Sequence, residues 1–514
     1  FLDSSTNNFS ITRNGNTTQG TFSPYGSNWG NYFNGSSSLS ISSSNTVLPT
    51  GTQDFCVEMW INWATQSGTY PQIICNPTTN GFQIYYDVSG GLLAVGIFNV
   101  ANVITYSISQ ATLTGVWNHL AVTRSGNTFR LFINGVLQAN GTNSISYAAV
   151  TTQYVGSDGS RPYTGYLSNV RTVLGSIPTA YQTSSTTNGT SVFTPPTGPL
   201  TAITNTSLLT CQSNRFIDNS SNAFAITVNG TPSVQRFSPF SPSAAYAAGT
   251  IGGSGYFDGS GDYLSLPDNS AFDLNTTFTV ECWFYQTDTS SARFILNRGG
   301  GAADWTNNGH EYMLLTYAGS LTWQWNSSLT NVSINTTTPA ANTWNHIAIG
   351  YNGTTTRVWL NGTSVGTSTS GYTLPTTRNL TRIGQTVTTG VGENYPWVGY
   401  ISNLRIVKGT DVYGVSNTSI TVPTAPLTAV SGTSLLTNFT NGGIIDNAMM
   451  NDLETVGNAQ ISTTQSKFGG GSMSFNGTNS YLTTPNAIQF NASQGNWTIE
   501  AWVNFNSNTV SQPL

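Results

Sequence analysis

Trp117-Asn118-His119-Leu120-Ala121-Val122, followed by Arg130-Leu131-Phe132-Ile133-Asn134-Gly135, is the stretch that decides the fold. An alternating run that ends in Asn-Gly is the strongest short-range signal for a two-residue β-hairpin. In the upstream segment Trp117, His119 and Ala121 share one strand face, and Leu120 and Val122 share the other. Both segments return as Trp344-Asn345-His346-Ile347-Ala348-Ile349 and Arg357-Val358-Trp359-Leu360-Asn361-Gly362, separated by the same step. Strands and a tight turn written twice predict an antiparallel fold made of repeated modules.

The repeat extends in both directions. Upstream lie Val57-Glu58-Met59-Trp60 and Val280-Glu281-Cys282-Trp283, with a third copy at Ile499-Glu500-Ala501-Trp502. Before these come the aromatic-Asx-Gly turns Phe33-Asn34-Gly35, Phe257-Asp258-Gly259 and Phe475-Asn476-Gly477. Further upstream, Phe1-Leu2-Asp3 through Thr12 returns as Phe216-Ile217-Asp218 through Thr227, and more weakly at Ile445-Asp446-Asn447. Downstream, Gly165-Tyr166-Leu167-Ser168-Asn169-Val170-Arg171 matches Gly399-Tyr400-Ile401-Ser402-Asn403-Leu404-Arg405. Pro-rich stretches at 193–200 and 422–427 read as short, stiff linkers. The Thr-Ser-Leu-Leu-Thr runs at 206–210 and 433–437 read as first strands of the next module. The expected modules are 1–200, 201–427 and a partial third at 428–514, with both chain ends read as cuts in something longer.

Composition narrows the function. Among 514 residues there are 15 basic and 20 acidic side chains, 7% charged, against roughly 25% in ordinary soluble domains. So few Lys and Arg cannot build the basic stripe that a nucleic-acid partner requires. Scarce Lys, Glu and Met beside plentiful aromatic and β-branched residues disfavour a helical bundle. No apolar run approaches the length of a membrane span, so membrane insertion is not expected.

Taken together, the Glu-x-Trp strand, Trp-x-His-x-Ala strand, Asn-Gly hairpin and Gly-Tyr-x-Ser-Asn-x-Arg strand resemble laminin-G-like modules. These belong to the concanavalin A-like lectin and glucanase superfamily. The variant closing with Ile401-Ser402-Asn403-Leu404-Arg405-Ile406-Val407-Lys408-Gly409-Thr410 is similar to tandem modules in large proteins of marine bacteria and their phages. The resemblance implies an all-β fold of tandem antiparallel jelly-roll sandwiches. It also implies an extracellular setting, with a virion surface favoured over a bacterial cell surface, glycans or a host-surface polysaccharide as partners, and assembly with further copies or other surface proteins.

Three functions compete: a glycan-binding fibre or appendage, an inert spacer or filament subunit, and a polysaccharide hydrolase. Hydrolysis needs two carboxylates across the scissile bond. Glu58, Glu281 and Glu500 each stand alone on their strands, and the expected role is hydrogen bonding inside the module. His119 and His346 lack acids or cysteines nearby in sequence and read as structural. Cys56, Cys75, Cys211 and Cys282 do not repeat, and free buried thiols are expected. The resemblance implies calcium as a possible ligand, with Asp258 and Asp262 as the candidates; a plain Asx-Gly turn is the alternative.

Loops differ most between copies, and variable loops on a fixed scaffold are where binding usually sits. The second copy inserts Arg298, Asp304 and Trp305, with His310 following. Its closing loop carries Glu393, Tyr395 and Trp397 where the first copy has Arg161 and Tyr163. Aromatic rings flanked by polar groups suit sugar recognition, and these nine residues are the candidate glycan contacts. Packing between modules is the competing reading.

Overall fold

The computed structural model describes residues 7, 12–14, 18–20, 29–66, 68–229, 233–235, 252–299, 310–327, 330–374, 380–386, 395–439, 454–456, 460–462, 467, 472–483 and 498–505. Two compact units form. One holds 27–243; the other holds 244–485 together with 1–26.

Each unit is a sandwich of two antiparallel sheets. In the 27–243 unit, one sheet runs Val136–Thr142, Thr128–Ile133, Trp117–Ser125, Phe55–Trp63, Thr164–Leu174, Gly30–Asn34, Ser233–Gln235. The other runs Ile226–Asn229, Ser38–Ile41, Gln153–Val155, Gln72–Cys75, Phe82–Asp87, Leu92–Ile97, Ala101–Ser107. The second unit repeats this order around Phe278–Gln286, Trp344–Tyr351 and Val398–Lys408. This is the jelly-roll arrangement that the family resemblance implies. Asn134 and Gly135 both take positive φ (51° and 80°) between Ile133 and Val136, the twist-matched geometry of a two-residue hairpin. A Cβ on Gly135 would lie 1.8 Å from the Phe193 carbonyl oxygen, so only glycine fits.

Between the sheets lies an aromatic core. Trp63 meets Tyr86 and Tyr163 edge-on at 5.1 and 5.0 Å, and Phe55 meets Phe82 at 5.3 Å. In the second unit Trp323 stacks on Tyr312 at 5.5 Å, and Trp397 lies against Phe284. Cys56 and Cys75 sit in different sheets, and the four cysteines are buried free thiols.

Two sequence expectations are corrected. The closing strand Thr164–Leu174 is long, and Gly30–Asn34 pairs only with its first half, Thr164 to Leu167. Its remaining edge would leave backbone groups unpaired, and Thr206–Thr210 fills it. Thr433–Thr437 does the same for Val398–Lys408. Both strands therefore complete the preceding sandwich instead of opening the next. Nor is the Pro-rich stretch at 193–200 a free linker. Phe193 stacks on Tyr181 at 4.1 Å, and the two rings cover Ala121, Phe132 and Val173 on the outer face of the Glu58 sheet. That sheet is thus buried on both faces, which explains its near-continuous apolar strands.

In the third copy, the described residues form two two-stranded ladders, Glu454–Val456 with Tyr481–Thr483 and Gln460–Ser462 with Ser472–Ser474. Ile499 and Trp502 of its glutamate segment are 83% and 71% exposed.

Candidate functional site

Glu58, His119 and Arg171 converge under the return connection of the first unit. The closing strand bulges at Asn169, which takes φ 53°, and the register shift sets Arg171 opposite Glu58. Glu58 accepts from Arg171 Nη2 at 2.6 Å, from Arg171 Nε at 2.9 Å, from Tyr181 Oη at 2.6 Å and from His119 Nε2 at 3.3 Å. Arg171 also donates to the Thr201 carbonyl, and Asn169 accepts the Leu200 amide, so the return connection is pinned to this centre. The second unit repeats it with Glu281, Arg405, Tyr413 and His346, and with Thr428 and Leu427 as the pinned backbone. Burial alone would raise the Glu58 carboxyl. The hydrogen bond from His119, the Arg171 charge and the Tyr181 hydroxyl outweigh it and hold the group below its usual range; Glu281 behaves alike. Both carboxylates are fully committed inside their modules. These centres hold the fold together.

The sequence candidates scatter. Tyr163 is fully buried, and its hydroxyl donates to the Asn62 and Tyr166 carbonyls; Trp397 is equally buried. Neither ring offers a face to a sugar, a correction to the expectation. Arg298 is 1% exposed and is held by Glu311 at 2.8 Å, Asp273 at 2.7 Å and Asp268 at 2.8 Å, so it braces the sandwich rim. His310 is buried beside Gln324, and burial pulls its imidazole down to about 4. Tyr395 caps an apolar cluster of Phe294, Met313 and Leu315. Asp304, Trp305 and Glu393 lie outside the described residues. Asp262 accepts the Asp258 amide at 2.9 Å, and Asp258 accepts the Ser260 amide at 2.6 Å. That is an Asx-Gly turn with two carboxylates, short of the six to eight oxygens calcium prefers. Among the described residues no group of three or more His, Cys, Asp or Glu could hold a metal ion.

Arg161 alone among these candidates leads to a partly exposed polar surface. It lies against the outward face of the first unit's Phe82–Asp87 strand, where Gln83, Tyr85 and Asp87 alternate with the core residues Phe82, Ile84 and Tyr86. Its guanidinium bonds Asp158 at 2.6 Å and covers the Phe98 ring at 4.9 Å. Tyr85 donates to Asn102 Oδ1 at 2.7 Å and meets the Tyr70 ring edge-on at 5.8 Å. Tyr70 is 38% exposed. Gln72 stands opposite Tyr85, and Gln83 opposite Gly96, which in turn faces Asn102. Glycine at 96 leaves room for both amides: a Cβ there would be 2.8 Å from Gln83 Nε2. The side-chain oxygens of Gln72 and Gln83 are buried and have no hydrogen-bond partner. The groups this face leaves at least partly exposed are Tyr70, Tyr85, Asp87 and Asn102.

Sequence reasoning missed Tyr70, Gln72, Gln83, Tyr85 and Asn102. Their signal is the alternation of Phe82-Gln83-Ile84-Tyr85-Tyr86-Asp87, with amide, phenol and carboxylate on one face.

A model of the concanavalin A-like lectin/glucanases superfamily, of laminin-G type, matches residues 33–173 and 258–410. No curated protein matches the chain. Among solved structures, domains LG4-5 of the mouse laminin alpha1 chain are 13% identical, over 79% of this chain and 94% of theirs, at a TM-score of 0.25. A carbohydrate-binding protein described from Bacteroides ovatus is 17% identical over 41% of this chain and 60% of its own, at 0.29. Domain 4 of the extracellular arabinanase AbnA from Geobacillus stearothermophilus, solved with arabinotriose, is 21% identical over 32% and 75%, at 0.24.

Proposed function

From the premise that this chain belongs to the concanavalin A-like lectin/glucanases superfamily, we propose that it is a non-enzymatic glycan-binding module protein. The observation that carries the reading is the outward face of the first unit: Tyr70 and Tyr85 edge-on, the partly exposed Arg161 and the exposed Asn102, on or beside one sheet. Sugar hydroxyls can bond the Tyr85 hydroxyl and the exposed Asn102 amide, and the Tyr70 ring can lie on an apolar sugar face. No helix among the described residues is long and apolar enough to cross a membrane. The setting proposed is extracellular, as a virion or cell-surface projection acting in attachment, with calcium left out of the mechanism.

Binding follows from groups already in place. The sheet fixes Gln83 and Tyr85 through ladder bonds on both sides, so little freedom is lost on docking. Arg161, held by Asp158, keeps a partly exposed cation at the rim for acidic or hydroxyl-rich sugars. A glycan array probed with the full chain tests this. Binding to at least one glycan class, weakened in Tyr85→Ala, is expected; no binding to any glycan would overturn it and leave the spacer reading.

A further inference from the structure

Each sandwich is finished by a short clasp that places one strand in each of its sheets. In the 27–243 unit the clasp is Ile226–Asn229 against Ser38–Ile41 and Ser233–Gln235 against Gly30–Asn34. In the other unit it is Thr12–Asn14 against Tyr263–Leu266 and Thr18–Gly20 against Ser254–Asp258. The two are equivalent by sequence, as the repeat of 1–12 at 216–227 shows. Their registers coincide: Thr12 pairs with Ser265 as Thr227 pairs with Ser40, and Thr18 pairs with Tyr256 as Ser233 pairs with Tyr32. Even the side anchor repeats. Asn222 Nδ2 donates to the carbonyls of Thr206 and Ser207, and Asn7 Nδ2 to those of Thr433 and Ser434.

The connections are crossed. In the third copy the clasp Glu454–Val456 and Gln460–Ser462 pairs with the strands that follow it, Ser472–Ser474 and Tyr481–Thr483. The first clasp stands the same distance before its own strands, Gly20 before Gly30 as Ser462 before Ser472. It nevertheless closes the sandwich beginning more than two hundred residues later, while the second clasp closes the first sandwich. Recognition runs through main-chain ladders and carbonyls, which are blind to the copy supplying the strand. Local and crossed pairing therefore make equivalent contacts, and connection length and concentration choose between them.

We infer that the clasp is an exchangeable docking element and that the slot beside Ser254–Asp258 and Tyr263–Leu266 accepts the clasp of a second copy of this chain. Clasp and slot are different surfaces, so one-way exchange is head-to-tail and can propagate, while reciprocal exchange between two chains closes a dimer.

Mixed disulfide trapping with full-length chains tests it. One chain carries Thr12→Cys, the other Ser265→Cys, and the two are oxidised together over a range of concentrations. The inference expects a cross-linked species of twice the chain mass, its share rising about tenfold per tenfold concentration below saturation. A synthetic peptide of residues 5–22 should suppress it. A third chain carrying Thr12→Cys with Ser40→Cys reports local closure. A chain carrying both Thr12→Cys and Ser265→Cys reports crossed closure within one chain; cross-linking confined to single chains, by either pair, with no mixed species at any concentration, would overturn the inference. So would a mixed species that the peptide leaves unchanged. Neither readout depends on glycan binding.

Discussion

The two sandwiches share one skeleton and differ on the outer face of one sheet. At their centres Glu58 and Glu281 are gripped by the same arginine, tyrosine and histidine at nearly the same distances. On the outer face of the other sheet, the first unit shows Gln83, Tyr85 and Asn102, whereas the second buries Phe294, Met313 and Leu315 under Tyr395. A residue change on a sheet's outward face leaves the ladder and the core intact, so one fold can carry a partly exposed polar surface in one copy and a sealed apolar one in the next. The repeated groups are those the fold cannot lose; the unrepeated ones carry whatever is specific to a unit.

The largest effect should come from the shared centres. Arg171→Ala leaves Glu58 buried and uncompensated, and should destabilise the first unit by about 3–5 kcal/mol; Arg405→Ala should do the same to the second. Calorimetry of the two variants checks this, and a marked difference between them would break the equivalence. Next comes Met313→Ala, which opens a cavity beneath Tyr395 and should cost the second unit about 2–5 kcal/mol by denaturant unfolding while leaving glycan binding unchanged. Smaller is Tyr85→Ala, expected to weaken glycan affinity about tenfold in titration calorimetry, roughly 1.4 kcal/mol, with little change in stability. Acid gives the mildest probe. The folded carboxyls of Glu58 and Glu281 titrate below the unfolded value of about 4.3, so their contribution is present above it and is lost as pH falls through the depressed folded values. Both units should weaken together in an acid titration followed by circular dichroism.

Much of the skeleton was legible because repetition marked it. Glu58, His119, Arg171 and the Asn134-Gly135 turn recur in order, and the structure assembles them into one centre and one hairpin. Tyr181 was not legible, because its counterpart Tyr413 in the second copy sits at a different distance past the closing arginine. The linkers misled for a physical reason: prolines at 193–200 stiffen a segment whether it spans solvent or lies on a sheet, and only the contact of Phe193 with Tyr181 distinguishes the two. Loop length drew attention to Tyr163 and Trp397, yet long loops over a sandwich rim bury their aromatics to seal it. The polar face lay instead in the middle of strands, where comparing copies shows only that Gln83 and Tyr85 fail to repeat. The shortage of charge also gains a meaning. Glu58, Glu281, Glu311, Asp262, Asp273, Arg124, Arg171, Arg298 and Arg405 are all buried, so a good part of the few charges serves the interior.

Hydrogen–deuterium exchange on the full chain, with and without a glycan selected from the array, tests the account most directly. Slowed exchange confined to 70–106 and 153–163 is the expected result. Slowed exchange at 294–325 and 395–397, with the first unit unchanged, would contradict it.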